Sequence, residues 1–284
     1  MIYTTSTMKM AVMGDPIDHS LSPFMHGSLI EKHGLDALYI PVRVAPDETE
    51  HFAEAARHLG FCGFNATMPN KIRLLDIVDE LDEKASLYQA VNTVRIRDGK
   101  LTGSNTDVDG LMAALDRQEI RTEGARVMII GAGGVAGALI RGFAGRGVSS
   151  LSVLNRTLSA AEKAIEGIPA ACALEMTREN LSVTASRSDL IINCTPLGMS
   201  GVREDFQDFS FLDDTGAFVV DLIYNPWQTA LLRSAEERGL GTMNGLPMLI
   251  YQGILSFRLF TDLPVDLHEE FAFLYPLCQE RLRQ

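Results

Sequence analysis

An apolar run, Ala125-Arg126-Val127-Met128-Ile129-Ile130, leads directly into the turn Gly131-Ala132-Gly133-Gly134-Val135-Ala136-Gly137, and helical periodicity follows from Ala138 to Gly145. Few folds accept this order. A strand that apolar is buried on both faces and needs parallel neighbours joined by crossover helices. The turn satisfies the spacing G-x-G-x-x-G/A through Gly131, Gly133 and Ala136. The first glycine permits the sharp turn, the second lets backbone approach a pyrophosphate, and the small third residue lets helix and strand pack closely. Gly131, Ala132, Gly133, Gly134 and Val135 are therefore candidate cofactor-binding residues, with phosphates placed at a helix N-terminus. A ligand-free glycine turn is the competing reading.

The next strand, Ser150 to Leu154, ends in Asn155-Arg156-Thr157, with no acid before Glu162. A dinucleotide with a free ribose 2′-hydroxyl usually meets an Asp or Glu there, whereas Arg accommodates a 2′-phosphate. Asn155, Arg156 and Thr157 thus point to NADP; the bland alternative is a surface arginine at a strand end. Strands at Leu190–Cys194 and Ala217–Asp221 continue the unit. The loop Asn193 to Met199, containing Thr195, reads either as a cofactor-side loop at the sheet's carboxyl edge or as a plain Pro-Gly turn.

Upstream, strands are expected at Met8–Gly14, Leu38–Val44 and Gly60–Thr67, and helices at Phe24–Lys32, Asp47–Leu59 and Lys71–Tyr88. A hairpin is expected with arms Ala90–Arg97 and Lys100–Ser104. This predicts a mostly parallel sheet with the hairpin at one edge. Helices at Met248–Phe260 and Leu267–Leu282 return to it. The fold class is α/β: a substrate-binding domain at 1–107 plus 245–284, and a Rossmann-like NADP-binding domain at 108–244, with a cleft between them. The 284 residues carry a formal charge of −12, which argues against nucleic acid and anionic membrane as partners. Cys62, Cys172, Cys194 and Cys278 lack metal-site spacing and fit a reduced compartment; no metal is expected. The N-terminus lacks a signal-peptide pattern, and the apolar stretch Gly239–Phe260 is broken by Asn244, Pro247, Gln252 and Arg258. The expectation is a soluble, cytoplasmic protein, monomeric or homodimeric.

Two polar loops interrupt the apolar pattern. Asn65-Ala66-Thr67-Met68-Pro69-Asn70-Lys71 ends in a cation, and Gly103-Ser104-Asn105-Thr106-Asp107 ends in a carboxylate. Either charge alone reads as an exposed lysine or a helix-capping aspartate. Together, upstream of a dinucleotide turn, they suggest proton transfer coupled to hydride transfer. A lysine of ordinary pKa, about 10.4, is a poor base at neutral pH. Either burial lowers it, or Lys71 acts electrostatically while Asp107 shares the proton. In His19-Ser20-Leu21-Ser22-Pro23, an extended backbone would put both hydroxyls on one face, suited to a carboxylate. Ser22 also reads as an N-cap before Pro23, which makes Ser20 the better ligand candidate. Asn92, in Gln89-Ala90-Val91-Asn92-Thr93, is a turn-satisfying amide or a substrate donor.

These segments, with Gly14 to Pro23, Asn155-Arg156-Thr157 and Gly245 to Gln252, occur in an order that resembles the shikimate dehydrogenase family, including its quinate/shikimate members. The likeness runs from about Ala11 to Gln252. It implies reversible NADP-linked oxidation of shikimate to 3-dehydroshikimate. By the family pattern, Ser20 and Ser22 hold the substrate carboxylate, Thr67, Asn92 and Gln252 bind ring hydroxyls, and Tyr224 lies nearby. Lys71 and Asp107 meet the hydroxyl that is oxidised, and Glu83, Leu222 and Gly245 contact cofactor. Departures are Ala66 for a β-branched residue, Asn70 before the lysine, Gln89 for a frequent Gly, and Asn244 and Pro247 for the usual Asp and Gly. Asn70 resembles the quinate/shikimate branch, and Pro247 is expected to stiffen a junction loop. Two other readings compete: a quinate or amino-analogue dehydrogenase using NAD or both cofactors, and a non-catalytic NADP- or metabolite-binding regulator.

Overall fold

A computed structural model describes residues 3–67, 69–202, 206 and 208–283, and Met68 of the lysine loop lies outside them. The chain divides into two compact units, Met1–Leu111 with Leu249–Gln284, and Met112–Met248.

The first unit begins with β1 (Met8–Gly14), α1 (Ser22–Lys32), β2 (Ala37–Arg43), α2 (Thr49–His58) and β3 (Phe61–Ala66). β4 (Glu80–Leu81), α3 (Glu83–Tyr88), β5 (Thr93–Arg97) and β6 (Lys100–Ser104) follow, and α4 (Asp107–Arg117) leads out of the unit. Its sheet has the order β2-β1-β3-β5-β6-β4. β1 lies parallel to β2 and β3, while β5 runs antiparallel to β3 and β6. Met13, Phe64, Ala66, Val91, Val94 and Leu101 are among its buried apolar residues.

One expected helix is absent. Lys71–Tyr88 is not continuous: a 3-10 turn at Arg73–Asp76 gives way to β4, which pairs parallel to β6, and α3 starts only at Glu83. The interruption has local causes. The Asp79 carboxylate accepts the Leu101 N–H at 2.7 Å, and Asp82 caps α3 by accepting from the Ala85 N–H at 2.7 Å. The Leu101 N–H, together with the Arg57 guanidinium, lowers the Asp79 pKa. The hairpin is accordingly not the sheet edge, because β4 covers β6.

The second unit contains β7 (Arg126–Ile130), α5 (Gly134–Ala144), β8 (Ser150–Asn155), α6 (Leu158–Ala164), β9 (Ala171–Glu175) and α7 (Arg178–Ala185). β10 (Leu190–Asn193), β11 (Phe218–Asp221), α8 (Ala230–Glu237) and β12 (Thr242–Met243) complete it. All six strands run parallel in the order β12-β11-β10-β7-β8-β9, the doubly wound arrangement whose winding reverses between β7 and β10. Val127 to Ile130 and Leu190 to Asn193 are buried throughout, as central parallel strands require. β9 and β12 lack a signal in the sequence: β9 is a half-exposed edge strand and β12 has two residues, so neither shows a buried apolar run.

α9 (Leu246–Thr261) returns the chain to the first unit, and α10 (Leu267–Arg283) follows. Pro247 falls in the first turn of α9, where its missing N–H costs no helix bond, and the Asn244 side chain caps the helix by accepting the Leu246 N–H at 3.1 Å. Pro247 therefore opens a helix rather than stiffening a loop. Within the first unit α10 meets α1: Glu270, 1% exposed, takes Lys32 Nζ at 2.9 Å and His33 Nε2 at 3.0 Å. No described helix is long and apolar enough to cross a membrane.

Candidate active site

β3 delivers the lysine loop. Past Ala66 the backbone leaves the sheet, with the Thr67 N–H on the Met13 carbonyl at 2.9 Å and the Asn70 N–H on the Thr67 carbonyl at 3.0 Å. The Asn70 side chain is fully buried. It donates to the Val44 carbonyl at 3.3 Å and accepts the Thr49 hydroxyl at 3.1 Å. Its amide braces the loop against α2. Lys71 Nζ then reaches Asp107 Oδ2 at 2.7 Å, with the two side chains 13% and 6% exposed. Asp107 is the first residue of α4, where the helix N-terminus favours a carboxylate.

Asn92 stands on the other side of that carboxylate. Its Nδ2 donates to Asp107 Oδ1 and to Thr106 Oγ1, both at 2.9 Å, and lies 3.3 Å from Gln252 Oε1. Its Oδ1 accepts the Thr106 N–H at 2.8 Å. Lys71, Asp107, Asn92 and Gln252 thus form one hydrogen-bonded group. Thr67 is half-buried on the same loop as Lys71.

The serine pair differs from the expected geometry. The segment is not extended: Leu21 has φ −77 and ψ −12, and α1 begins at Ser22 with no side-chain cap. Ser20 Oγ instead accepts the Ser22 N–H at 3.3 Å, so the local turn falls to Ser20. Ser22, 8% exposed, hydrogen-bonds the buried phenol of Tyr39, whose pKa is raised by burial.

In the second unit, Gly131 has φ +104, and a Cβ there would stand 2.8 Å from Thr195 Cγ2 and 3.2 Å from the Cys194 carbonyl carbon. Only glycine fits. α5 starts at Gly134, earlier than the expected Ala138, with Gly133 as an N-cap that has no side-chain hydrogen bond. Around Gly133 and Gly134 an added Cβ meets nothing within 4 Å. First-turn N–H groups at an open helix end, with Ala132 and Val135 half-buried beside them, suit a pyrophosphate. At the end of β8, Asn155 donates to the Thr157 carbonyl at 2.9 Å, while Arg156 and Thr157 are exposed.

Thr195 is held in a side-chain-bonded turn at the end of β10. Asn193 Oδ1 accepts both its N–H at 3.0 Å and its hydroxyl at 2.6 Å, and Asn193 Nδ2 donates to buried Asp221 at 3.0 Å. Asp221 also accepts the Ile223 N–H at 3.1 Å and the Thr229 hydroxyl at 2.7 Å. Burial, reinforced by the Asp221 charge, raises the Cys194 thiol pKa and keeps it protonated. A Cβ on Gly245 would lie 1.9 Å from the Leu222 carbonyl oxygen, so Gly245 and Leu222 meet backbone to backbone. Tyr224 is half-buried in this unit, whereas Glu83 is exposed at the start of α3 in the other.

Sequence reasoning missed several polar residues of the first unit's site: Tyr39, Asn65, Thr93 and Ser256. Tyr39 donates to Asn65 Oδ1 at 2.7 Å, and Asn65 Nδ2 reaches Thr93 Oγ1 at 3.1 Å and Ser256 Oγ at 2.9 Å. The one available signal was an amide inside the otherwise apolar strand Gly63-Phe64-Asn65-Ala66.

Three family models match: the shikimate dehydrogenase substrate binding domain over residues 12–94, shikimate/quinate 5-dehydrogenase over 113–223, and the shikimate 5′-dehydrogenase C-terminal domain over 245–269. The NADP(+) shikimate dehydrogenase of Methanothermobacter thermautotrophicus is 36% identical over 273 residues, 94% of this chain and 96% of that protein. A Listeria monocytogenes shikimate 5-dehydrogenase solved with shikimate and NAD superposes with a TM-score of 0.86 at 33% identity, covering 96% of this chain and 98% of that one. A Thermus thermophilus enzyme in complex with NADP(H) and shikimate gives 0.80 at 32%, covering 93% and 97%. Matched along most of its length by these models and by relatives more than 30% identical, the chain belongs to the shikimate dehydrogenase family.

Proposed function

We propose that this protein catalyses the reversible oxidation of shikimate to 3-dehydroshikimate with NADP. The observation that carries the reading is the Lys71–Asp107 pair at 2.7 Å, hydrogen-bonded to Asn92 and Gln252, in a chain whose relatives bear that activity. Residues 1–107 and 245–284 are assigned to substrate, and 108–244 to cofactor, in a cytoplasmic enzyme.

The turn Gly131 to Val135 fits a dinucleotide pyrophosphate, since its helix end has no side-chain cap and a Cβ at Gly133 or Gly134 would meet only open space. Asn155, Arg156 and Thr157 would hold the 2′-phosphate, with Thr195, Leu222, Gly245 and Glu83 as further cofactor contacts. Bound there, NADP supplies the hydride acceptor. The remaining chemistry belongs to the chain. Ser20 Oγ accepts one backbone N–H and keeps its own proton to donate to a carboxylate, with Ser22 beside it. Thr67, Asn92, Gln252 and Tyr224 orient the ring hydroxyls. As the carbinol carbon loses hydride, its hydroxyl gives up a proton to the Lys71–Asp107 pair. In the reverse direction the lysine ammonium donates to the carbonyl oxygen as it gains charge.

The test is reduced-cofactor formation from shikimate and from quinate, with NADP and with NAD, in the wild type, Lys71→Ala and Arg156→Ala. Expected are preference for shikimate with NADP, loss of at least about 100-fold in kcat for Lys71→Ala, and a raised KM for NADP alone in Arg156→Ala. Undiminished turnover in Lys71→Ala would sink the assignment of the pair, and turnover only with quinate and NAD would sink the substrate and the 2′-phosphate reading together.

A further inference from the structure

A fully buried hydroxyl on α9 sits at the centre of the polar network that leads to Asp107. Ser256 Oγ accepts from Asn65 Nδ2 at 2.9 Å, meets Thr93 Oγ1 at 2.8 Å and Thr106 Oγ1 at 3.1 Å, and shares its one proton between Thr93 Oγ1 and the Gln252 carbonyl at 2.9 Å. A helical serine that bonds only its own i−4 carbonyl would be ordinary; this one joins β3, the hairpin and the loop before α4. Both threonines it touches continue to the same atom. Thr93 donates to Asn92 Oδ1 at 2.9 Å, and Thr106 reaches it at 3.2 Å through its hydroxyl and 2.8 Å through its N–H.

That convergence decides which way the Asn92 carboxamide faces. With Oδ1 held by the threonines, the amide nitrogen must point at Asp107 Oδ1, which leaves Oδ2 for Lys71. Turned over, the carboxamide would present oxygen to a carboxylate. We propose that Ser256 is a positioning residue for the Lys71–Asp107 pair, acting through Thr93, Thr106 and Asn92 rather than on substrate. The inference rests on that pair being the reacting one. Groups facing Asp107 are the Lys71 ammonium from the loop after β3 and the Asn92 amide just before β5, with Gln252 Oε1 of α9 against that amide. On its own helix, Asp109 is paired with Lys84. Every member between Ser256 and Asp107 is neutral.

Removing the Ser256 hydroxyl loosens the two threonine hydroxyls and leaves the Thr106 N–H at 2.8 Å as the main donor on Asn92 Oδ1, so the Asn92 amide is held less firmly on Asp107. A carboxylate that loses a donated N–H holds its proton more readily. In Ser256→Ala, the acid limb of the kcat pH profile therefore moves up by about one unit, and kcat at its plateau falls about 10-fold. Ser256→Thr, which restores the hydroxyl, returns the limb to its wild-type place. Thr93→Val, which removes the relay hydroxyl at nearly constant shape, reproduces the Ser256→Ala profile and carries the test should that variant fail to fold. A structural role alone would lower the melting temperature and the active fraction while leaving the pH limb in place, and that result overturns the inference. The two readings part cleanly. If Lys71→Ala abolishes turnover while Ser256→Ala and Thr93→Val keep the wild-type profile, only the positioning role fails. If Lys71→Ala stays active, the assignment of the pair itself has failed.

Discussion

Lys71→Met and Asp107→Asn remove opposite halves of one ion pair, and the structure makes their effects on stability unequal. Removing one partner of a buried pair costs about 3–5 kcal/mol when the other is left without compensation. Without Lys71, the Asp107 carboxylate keeps the Asn92 N–H at 2.9 Å and its place at the start of α4. A hydrogen bond to a charged group contributes about 1.5–3 kcal/mol and a helix N-terminus about 0.3–1 kcal/mol. The net cost of Lys71→Met is then about 1–2 kcal/mol. Asp107→Asn is worse. The carboxylate accepts from two donors, Lys71 Nζ and Asn92 Nδ2, whereas an amide offers one oxygen and one donating nitrogen. One donor is left facing another, beside an ammonium only 13% exposed, which sets the cost at about 3–4 kcal/mol. The assay is urea unfolding at pH 7, followed by far-UV circular dichroism and by fluorescence. Trp227 is the one tryptophan and lies in the unit Met112–Met248, so its fluorescence separates that unit from the mutated one. The double variant Lys71→Met/Asp107→Asn should recover about 1–2 kcal/mol over Asp107→Asn, because it removes the unpaired ammonium. Equal costs for the single variants, or a greater cost for Lys71→Met, would refute the reasoning.

Gly245→Ala would set a methyl 1.9 Å from a backbone oxygen that cannot swing aside, and we expect a loss beyond about 3 kcal/mol, seen as a collapsed melting temperature. Gln89 holds a left-handed conformation, φ 53 and ψ 39, as the C-cap of α3, which is where a glycine is favoured. Gln89→Gly should therefore raise stability by about 1 kcal/mol, and a lowered melting temperature would show that the Gln89 bond to the Ser86 carbonyl outweighs the strain. Burial lowers the His26 pKa from 6.5 to about 3. The folded state thus binds fewer protons than the unfolded one between those values, so this stabilisation is present above pH 6.5 and is lost as pH falls toward 3. His26→Leu should flatten the fall of stability between about pH 6 and 4 by close to one proton, and an unchanged slope would show that other groups carry it.

What could be read in advance was what local pattern controls. Gly131 and Gly133 announced the second unit because an apolar strand, a turn and a helix are adjacent in the chain. Lys71 and Asp107 stood out because each ends a polar run. The expected helix over Lys71–Tyr88 failed where a distant strand intervened: β4 exists through its pairing with β6, and two residues carry no periodicity. The serine pair misled for a related reason. Whether Ser20 or Ser22 serves the turn depends on the backbone at Leu21, a single dihedral pair that composition does not disclose. Ser256 was invisible because it is an isolated polar residue in an apolar helix, and its meaning, like that of Thr93 and Asn65, lies in partners up to 191 residues away.

The first unit is completed by the chain's final segment, Leu249–Gln284, after the whole of Met112–Met248 has been made. Gln252 and Ser256 both lie in that late segment. On the ribosome, a nascent chain therefore emerges with Lys71 and Asp107 already present but with the amide and hydroxyl that complete their surroundings still unmade. The cofactor-type unit is contiguous and can fold before them. Asn65, Thr93 and Thr106 must wait with buried-type polar groups uncovered, an interval in which the half-made unit is open to proteases and to chaperones alike.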